Sequence, residues 1–321
     1  MGFSNTLVVA LLAVLERPWT WVVGLVGFLV RGGWLLVLAP IVVLPTAVGI
    51  ANVVAPWLQD VVFGRRTEDV ITVSLASLLV IVGWLAAGGV LAAAAEVESI
   101  GATARALHGG EVGKGPASGA RAMWRVLGVR LITLVPLGLA LAWATIRFVN
   151  VGYRELTDPS DVASPAAYRI LAGAPDAVLA VVVTWLLAEI LGGIAARRVV
   201  LDDDGVRAAL AAGSRHLRRR PARLFGLAVV SAAVLVTVLA VTALGTGTTW
   251  DALRAVLADR DASIGTSLTL LLFVGLFAGS LVLLALTSAW RSAVWTVEVD
   301  GADRTVAAGT FGGGDDTRSG D

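Results

Sequence analysis

The sequence predicts an all-α, polytopic transmembrane helix bundle of about six spans, accompanied by short interfacial amphipathic helices. Hydrophobic residues make up 57% of the chain and charged residues 15%, and the mean hydropathy is +0.84. A soluble domain is about half apolar and a quarter charged. Apolar runs of about 20 residues recur, and each can cross ~30 Å of hydrocarbon as a helix. The alternating segments of about ten residues that a membrane β-barrel requires do not occur.

Five spans are delimited by charged residues that flank apolar runs. These runs are rich in Leu, Val, Ala and Gly, and we place the spans at residues 70–95, 127–149, 177–196, 224–244 and 267–290. Together with an N-terminal span they form a transmembrane domain over residues 1–299. The segment 300–321 is rich in Gly, Asp and Thr and has little apolar content, so we expect a disordered cytoplasmic tail there.

The N-terminal apolar region allows two placements of its span. The run from Pro18 to Leu58 is too long for a single span, and Arg31 and two glycines interrupt it. One interpretation places the span at 18–43 and carries Arg31 into the membrane. The other makes Arg31 a hinge at the interface and places the span at 34–54. The preceding stretch, Leu7 to Leu15, predicts a short helix on or in the inner leaflet.

The distribution of basic residues predicts the orientation of the bundle. Of the 25 Lys and Arg residues, 17 fall in the segments on the side of the termini and 7 on the opposite side, with Arg31 left aside. Short loops rich in Lys and Arg stay in the cytoplasm, which predicts that both termini are cytoplasmic. Only Lys114 is a lysine, and the arginine bias favours a prokaryotic source and hence a multi-pass protein of the inner (plasma) membrane.

The connection between the fourth and fifth spans is the most basic segment of the chain. Three aspartates (202–204) precede it and arginines end it before Pro221, an order that complements a helix dipole. Its apolar residues recur at helical spacing, so we expect an amphipathic helix on the cytoplasmic surface. Its arginines are either a topogenic signal without a ligand or contacts to anionic lipid headgroups. The candidate contacts are Arg215, Arg218, Arg219, Arg220 and Arg223.

Residues that would support catalysis or metal binding are scarce. The chain contains no cysteine, which excludes disulfides and thiolate chemistry. His108 and His216 have no metal-ligand partner at helical spacing, and the predicted spans contain no aspartate pair. The sequence therefore predicts no enzymatic activity, no catalytic residue and no metal or cofactor. A net charge of +1 gives no indication of a nucleic-acid partner.

Glu189 is the carboxylate that falls inside a predicted span. An ionised group at that depth costs about 2.5–3.5 kcal/mol on insertion scales, so it should face the bundle interior and find a partner. Arg31 and Arg130 are the candidates. In one interpretation Glu189 belongs to a polar pocket that binds or conducts a solute. In the other it is a buried ion pair or a neutral carboxyl group that sets the register of the helices.

Three short segments carry a family resemblance. They are Arg121–Arg125 at the entrance of the third span, Arg207–Leu210 before the basic turn, and Trp290–Thr296 at the end of the last span. On these residues the chain from Ala95 to Trp295 resembles the membrane domain of glycerophosphoryl diester phosphodiesterases. In that family a separate soluble barrel carries the active site. The resemblance therefore implies a membrane module without hydrolase activity, and it transfers no functional residues.

Together these observations predict a non-enzymatic integral membrane protein that organises the membrane or assists a lipid or envelope process. The alternative is a small permease or channel-like transporter with Glu189 lining its path. The expected partners are the lipid bilayer and its anionic headgroups. The sequence leaves open whether the chain also binds another membrane protein or a second copy of itself.

Overall fold

The computed structural model describes residues 2–42, 67–108, 119–158, 161, 164, 166–258 and 264–311. Over these ranges the chain forms helices joined by turns, and no strand occurs in them. The helices are α1 (Phe3–Leu15), α2 (Trp19–Phe28), α3 (Trp34–Leu38), α4 (Thr67–Leu107), α5 (Ala120–Thr157), α6 (Ala166–Ala172), α7 (Pro175–Asp202), α8 (Val206–Arg219), α9 (Pro221–Ala258) and α10 (Ile264–Phe311).

Six stretches of helix in the described ranges are long and apolar enough to cross a membrane. They are Trp19–Leu38, Ile71–Leu107, Ala120–Glu155, Pro175–Asp202, Pro221–Ala258 and Ile264–Gly301. The chain is thus an all-α, multi-pass membrane protein, and the predicted fold class is confirmed. Residues 43–66, which include most of the alternative first span at 34–54, lie outside the described part of the chain.

The helices are longer than the hydrocarbon requires. Helix α4 has 41 residues, which corresponds to ~60 Å, about twice the thickness of the hydrocarbon core. Its first half exposes large apolar side chains, with Val80 72% exposed, whereas Ile100 in its second half is fully buried. An exposed apolar half is stable only in lipid. The second half continues beyond it and packs against other helices.

The chain divides into two compact units. Unit 1 comprises residues 1–20, 96–233 and 289–321, and unit 2 comprises residues 21–95 and 234–288. In unit 1, α8 lies closely against α7, because a Cβ at Gly213 would be only 3.3 Å from the Cδ1 atom of Leu191. A separate apolar cluster in unit 1 joins α5 to α6 and α7, and Val151 and Ala177 are buried in it. This packing holds the polar ends of the helices in fixed register.

In unit 2, the first span is broken near its middle. One turn of π-helix (Leu29–Gly33) separates α2 from α3, and Gly32 has φ +98°. That left-handed conformation favours glycine. A Cβ at Gly33 would lie 2.4 Å from the ring of Phe28, so the kink requires both glycines. Arg31 lies in this kink. The first span begins at Trp19, as the 18–43 placement predicts. It also contains a break at Arg31, as the hinge interpretation predicts.

Helix α1, in unit 1, has one buried and one exposed side. Thr6, Ala10, Ala13 and Val14 are buried, and large apolar side chains point outward on the other side: Val8, Leu11, Leu12 and Leu15. At the other end of the chain, α10 continues to Phe311, past the predicted start of the tail at residue 300. Residues 312–321 lie outside the described range.

Candidate functional site

Five charged side chains of unit 1 lie within four long helices. Glu96 is on α4, Arg130 is on α5, Glu189 and Arg197 are on α7, and Arg291 is on α10. Each of these residues follows or interrupts an apolar run. The apolar residues around it form and bury the helix, and the charged side chain is thereby placed in the interior of the bundle. Their signs alternate from one end of the group to the other. We refer to these five residues as the charge chain.

Glu96 lies in the most buried part of the charge chain, between two arginines. The guanidinium of Arg130 donates to both of its carboxylate oxygens, with Nε 2.9 Å from Oε2 and Nη2 bonded to Oε1. Arg197 donates from Nη1 to Oε1 of Glu96 at 3.0 Å. The side chain of Glu96 is 3% exposed and that of Arg197 is 2% exposed. Two arginines from different helices therefore share one buried carboxylate.

Arg197 also joins α7 to α10 through a terminal nitrogen of its guanidinium. Its Nη1 donates to the carbonyl of Gly193 at 2.9 Å, and its Nη2 lies 3.0 Å from both the carbonyl and the Oγ of Ser292. Ser99 donates to the same Ser292 hydroxyl at 3.0 Å. A buried guanidinium is tolerated only when several acceptors surround it. Here one carboxylate, two carbonyls and one hydroxyl provide them.

Glu189 forms the outer part of the charge chain. Its Oε1 lies 3.0 Å from Nη2 of Arg291, and its Oε2 lies 3.8 Å from Nη1 of Arg130. The Glu189 side chain is 24% exposed and that of Arg291 is 19% exposed. The order along the chain is therefore Arg291, Glu189, Arg130, Glu96, Arg197. Each carboxylate lies between two arginines.

The close approach of α5 to α7 depends on a glycine. A Cβ at Gly192 would lie 2.8 Å from the Oγ1 of Thr133 and 2.9 Å from Nη1 of Arg130. At the adjacent Gly193, a Cβ would meet the ring of Trp295 at an ordinary 3.7 Å. Only Gly192 therefore makes room for the guanidinium of Arg130 between its two carboxylates.

A second ion pair in unit 1 connects α1, α9 and α10. Nη2 of Arg223 lies 2.6 Å from Oε2 of Glu298 and 3.0 Å from the hydroxyl of Thr6. The Glu298 side chain is almost completely buried. The indole of Trp290 also donates to the carbonyl of Leu7 at 3.1 Å. These contacts hold the short N-terminal helix against two membrane-spanning helices.

The structure brings together some of the predicted site residues and separates others. Glu189 and Arg130 meet in the charge chain, whereas Arg31 belongs to unit 2 and lies in the kink of the first span. Of the five predicted lipid contacts, Arg223 is half-buried against Glu298. The other four are exposed around the end of α8: Arg215, Arg218, Arg219 and Arg220.

Sequence reasoning missed three members of the charge chain. The predicted spans end at residues 95, 196 and 290, each one position before Glu96, Arg197 or Arg291. A hydropathy criterion stops at the first charge and assigns that charge to the aqueous loop. One signal in the sequence indicates these residues. Charges of both signs follow the ends of spans on the same side of the predicted bundle, so they lie at a similar depth in the membrane and can pair.

The chemistry of the site is that of ion pairing. The described residues include no group of three or more His, Asp or Glu side chains arranged to hold a metal ion. The hydroxyl of Thr133, beside Arg130, donates to carbonyls of its own helix. No protein-family model, curated protein or solved structure matches the chain. The resemblance to a phosphodiesterase membrane domain therefore stays a prediction.

Proposed function

We propose that the chain is a non-enzymatic scaffold of the membrane, which organises the bilayer or assists a lipid or envelope process. The observation that carries this proposal is that both carboxylates of the charge chain are paired with arginines. Glu96 accepts hydrogen bonds from Arg130 and Arg197. Glu189 lies between Arg130 and Arg291. Carboxylates engaged in this way hold helices in register and are less available to a passing solute.

The energetic cost of these charges supports a structural role. Ionised groups in a low-dielectric interior lose solvation, and removing one partner of a buried pair costs about 3–5 kcal/mol. The five groups come from four helices, so the penalty opposes any relative sliding of α4, α5, α7 and α10. This arrangement specifies one packing of the helices, which is the property a scaffold needs.

The proposed setting is the inner (plasma) membrane of a prokaryotic cell, with both termini in the cytoplasm. The excess of arginine on the side of the termini supports this orientation. The charge chain would then lie at the cytoplasmic end of the spans. A membrane module without a catalytic barrel, as the resemblance implies, agrees with the same role.

A small permease is the second candidate, because the outer end of the charge chain is not sealed. The side chains of Glu189 and Arg291 are 24% and 19% exposed, whereas those of Glu96 and Arg197 are nearly inaccessible. An ionisable group with partial access is what a coupled transporter uses to take up a proton or an ion. In this alternative, Glu189 lines the path.

The Glu189→Gln variant distinguishes the two candidates. As a scaffold, the protein should lose stability without any change in flux, because one member of a charge chain has been neutralised. We would reconstitute wild type and variant into liposomes containing a pH-sensitive dye, impose a K⁺ diffusion potential and follow proton entry. Glu98→Gln is the matched control, since Glu98 is an exposed carboxylate on α4 paired with Arg105. Wild-type flux above that of empty liposomes, abolished by Glu189→Gln alone, would favour the permease.

A further inference from the structure

An exposed cluster of arginines lies at the turn between α8 and α9. It consists of Arg215, Arg218, Arg219 and Arg220, which we call the arginine corner, and all four side chains are exposed. Pro221 begins the next helix directly after it. Within the part of the chain that the structure describes, neighbouring arginines form ion pairs with carboxylates, among them Arg198 with Asp202 and Arg223 with Glu298. The four arginines of the corner form no such pair there.

Their concentration gives the corner a strong positive potential. Four guanidinium groups fall within six consecutive positions. Helix α8 ends there, so the partial negative charge of its last carbonyls offsets a part of their positive charge. Guanidinium groups match phosphate oxygens through paired N–H donors. The charge of the corner is thus complementary to a phosphate.

Helix α1, which has an exposed apolar face, contacts α9 within two turns of the arginine corner. The first turns of α9 pack on the start of α1, since Arg223 reaches Thr6 at 3.0 Å and a Cβ at Gly226 would lie 3.3 Å from the ring of Phe3. From Arg220 to Gly226 the axial distance is ~9 Å. Helix α1 then turns Val8, Leu11, Leu12 and Leu15 outward. Phe3 itself is 38% exposed.

We propose that the arginine corner binds the headgroup of an anionic glycerophospholipid whose acyl chains lie along the exposed face of α1. A charged head and an apolar tail joined in one molecule match a cationic corner beside an apolar helix face. A soluble polyanion would satisfy the arginines without contacting the apolar face of α1. This lipid site does not depend on whether the charge chain serves a scaffold or a permeation path.

The test measures lipid affinity of the purified full-length chain in detergent. Wild type is titrated with phosphatidylglycerol and with phosphatidylcholine, and bound lipid is counted by native mass spectrometry. We expect a preference for phosphatidylglycerol that falls about fivefold for each arginine removed, and hence about 25-fold in the double variant Arg219→Gln/Arg220→Gln. These side chains are exposed, so the thermal midpoint should not change.

A charge-matched control separates local binding from net charge. Arg121 and Arg207 are also exposed, and the double variant Arg121→Gln/Arg207→Gln removes the same two charges from other positions. It should keep the wild-type preference within about twofold. An equal loss in both double variants would overturn the proposal, because the preference would then follow net charge alone.

A second control separates a lipid from a soluble anion. The double variant Val8→Ser/Leu12→Ser leaves the arginines in place and removes apolar contact from the outer face of α1, and it should weaken binding of phosphatidylglycerol. Glycerol phosphate, which has no acyl chains, should compete only weakly with the lipid. Competition at concentrations similar to those of the lipid, or unchanged lipid binding in the α1 variant, would show a phosphate site without acyl contact and overturn the proposal.

Discussion

At the scale of single residues, the fold depends on how each buried charge finds acceptors or donors. Glu96 is almost inaccessible yet accepts from two arginines, and Arg197 ends on one carboxylate, two carbonyls and one hydroxyl. Such groups cannot be removed singly without leaving an uncompensated charge in a low-dielectric interior. The residues around them must therefore leave room for several long side chains at once.

Gly192 and Gly193 provide a matched pair for testing this requirement. We expect Gly192→Ala to destabilise the protein by about 1–3 kcal/mol, because its Cβ would displace the Arg130 guanidinium and the Thr133 hydroxyl. Gly193→Ala should be neutral or stabilising by up to about 1 kcal/mol, since alanine reduces the freedom of the unfolded chain and meets only ordinary contacts. Thermal unfolding in detergent measures both. Equal effects of the two variants would argue against a tight approach at Gly192.

The identity of the charge chain could be predicted only in part at this scale. Glu189 and Arg130 were recognised because they lie within apolar runs. Glu96, Arg197 and Arg291 were assigned to loops because each stands one position beyond a predicted span. A charge that ends an apolar run looks the same in sequence whether it reaches water or a partner on another helix. The packing of the neighbouring helices decides between the two.

At the scale of elements, the helices continue beyond their apolar stretches. Hydropathy detects the part of a helix that lies in lipid, such as the first half of α4. The backbone continues as helix through Glu96 and Ser99 because those residues have partners on α5, α7 and α10. The length of such a helix is therefore set by the contacts that its buried polar face makes with neighbouring helices.

Helix α1 illustrates an element held by a few specific bonds. The indole of Trp290 donates to the carbonyl of Leu7, and we expect Trp290→Phe to remove about 1 kcal/mol from the docking of α1. Hydrogen–deuterium exchange over residues 3–15 should then become roughly fivefold faster. Trp124→Phe is the control, because Trp124 is largely exposed. Unchanged exchange in Trp290→Phe would mean that the Trp290 hydrogen bond does not hold the helix.

At the scale of the whole molecule, the number of spans determines which helix ends can meet. Six spans bring the end of the second, the beginning of the third, and the ends of the fourth and sixth spans to the same side of the membrane. The members of the charge chain lie at these four predicted span ends or within about two turns of them. A span gained or lost between these helices would place some of the same residues on opposite sides of the bilayer, whereas a reversed orientation would move all of them together.

The proposed orientation can be tested without background labelling, because the chain contains no cysteine. Single cysteines at Ala208 and Tyr168 would report the two ends of α7, and both positions are exposed. We expect a membrane-impermeant maleimide to label Tyr168→Cys in intact cells and Ala208→Cys only in inside-out vesicles. Labelling of Ala208→Cys in intact cells would reverse the orientation. Labelling of both variants from the same side would contradict six spans.

The sequence by itself determined that this is a multi-pass helical membrane protein, because burial in lipid depends on the summed hydropathy of about 20 consecutive residues. It also isolated Glu189 as a charge in need of a partner. Only the tertiary structure decided which arginines surround Glu189, that Glu96 is buried between Arg130 and Arg197, and that Arg223 pairs with Glu298. The physical reason is that ion pairing between helices depends on the direction in which each helix face points and on the distance to its neighbours. Hydropathy summed along one chain contains neither quantity.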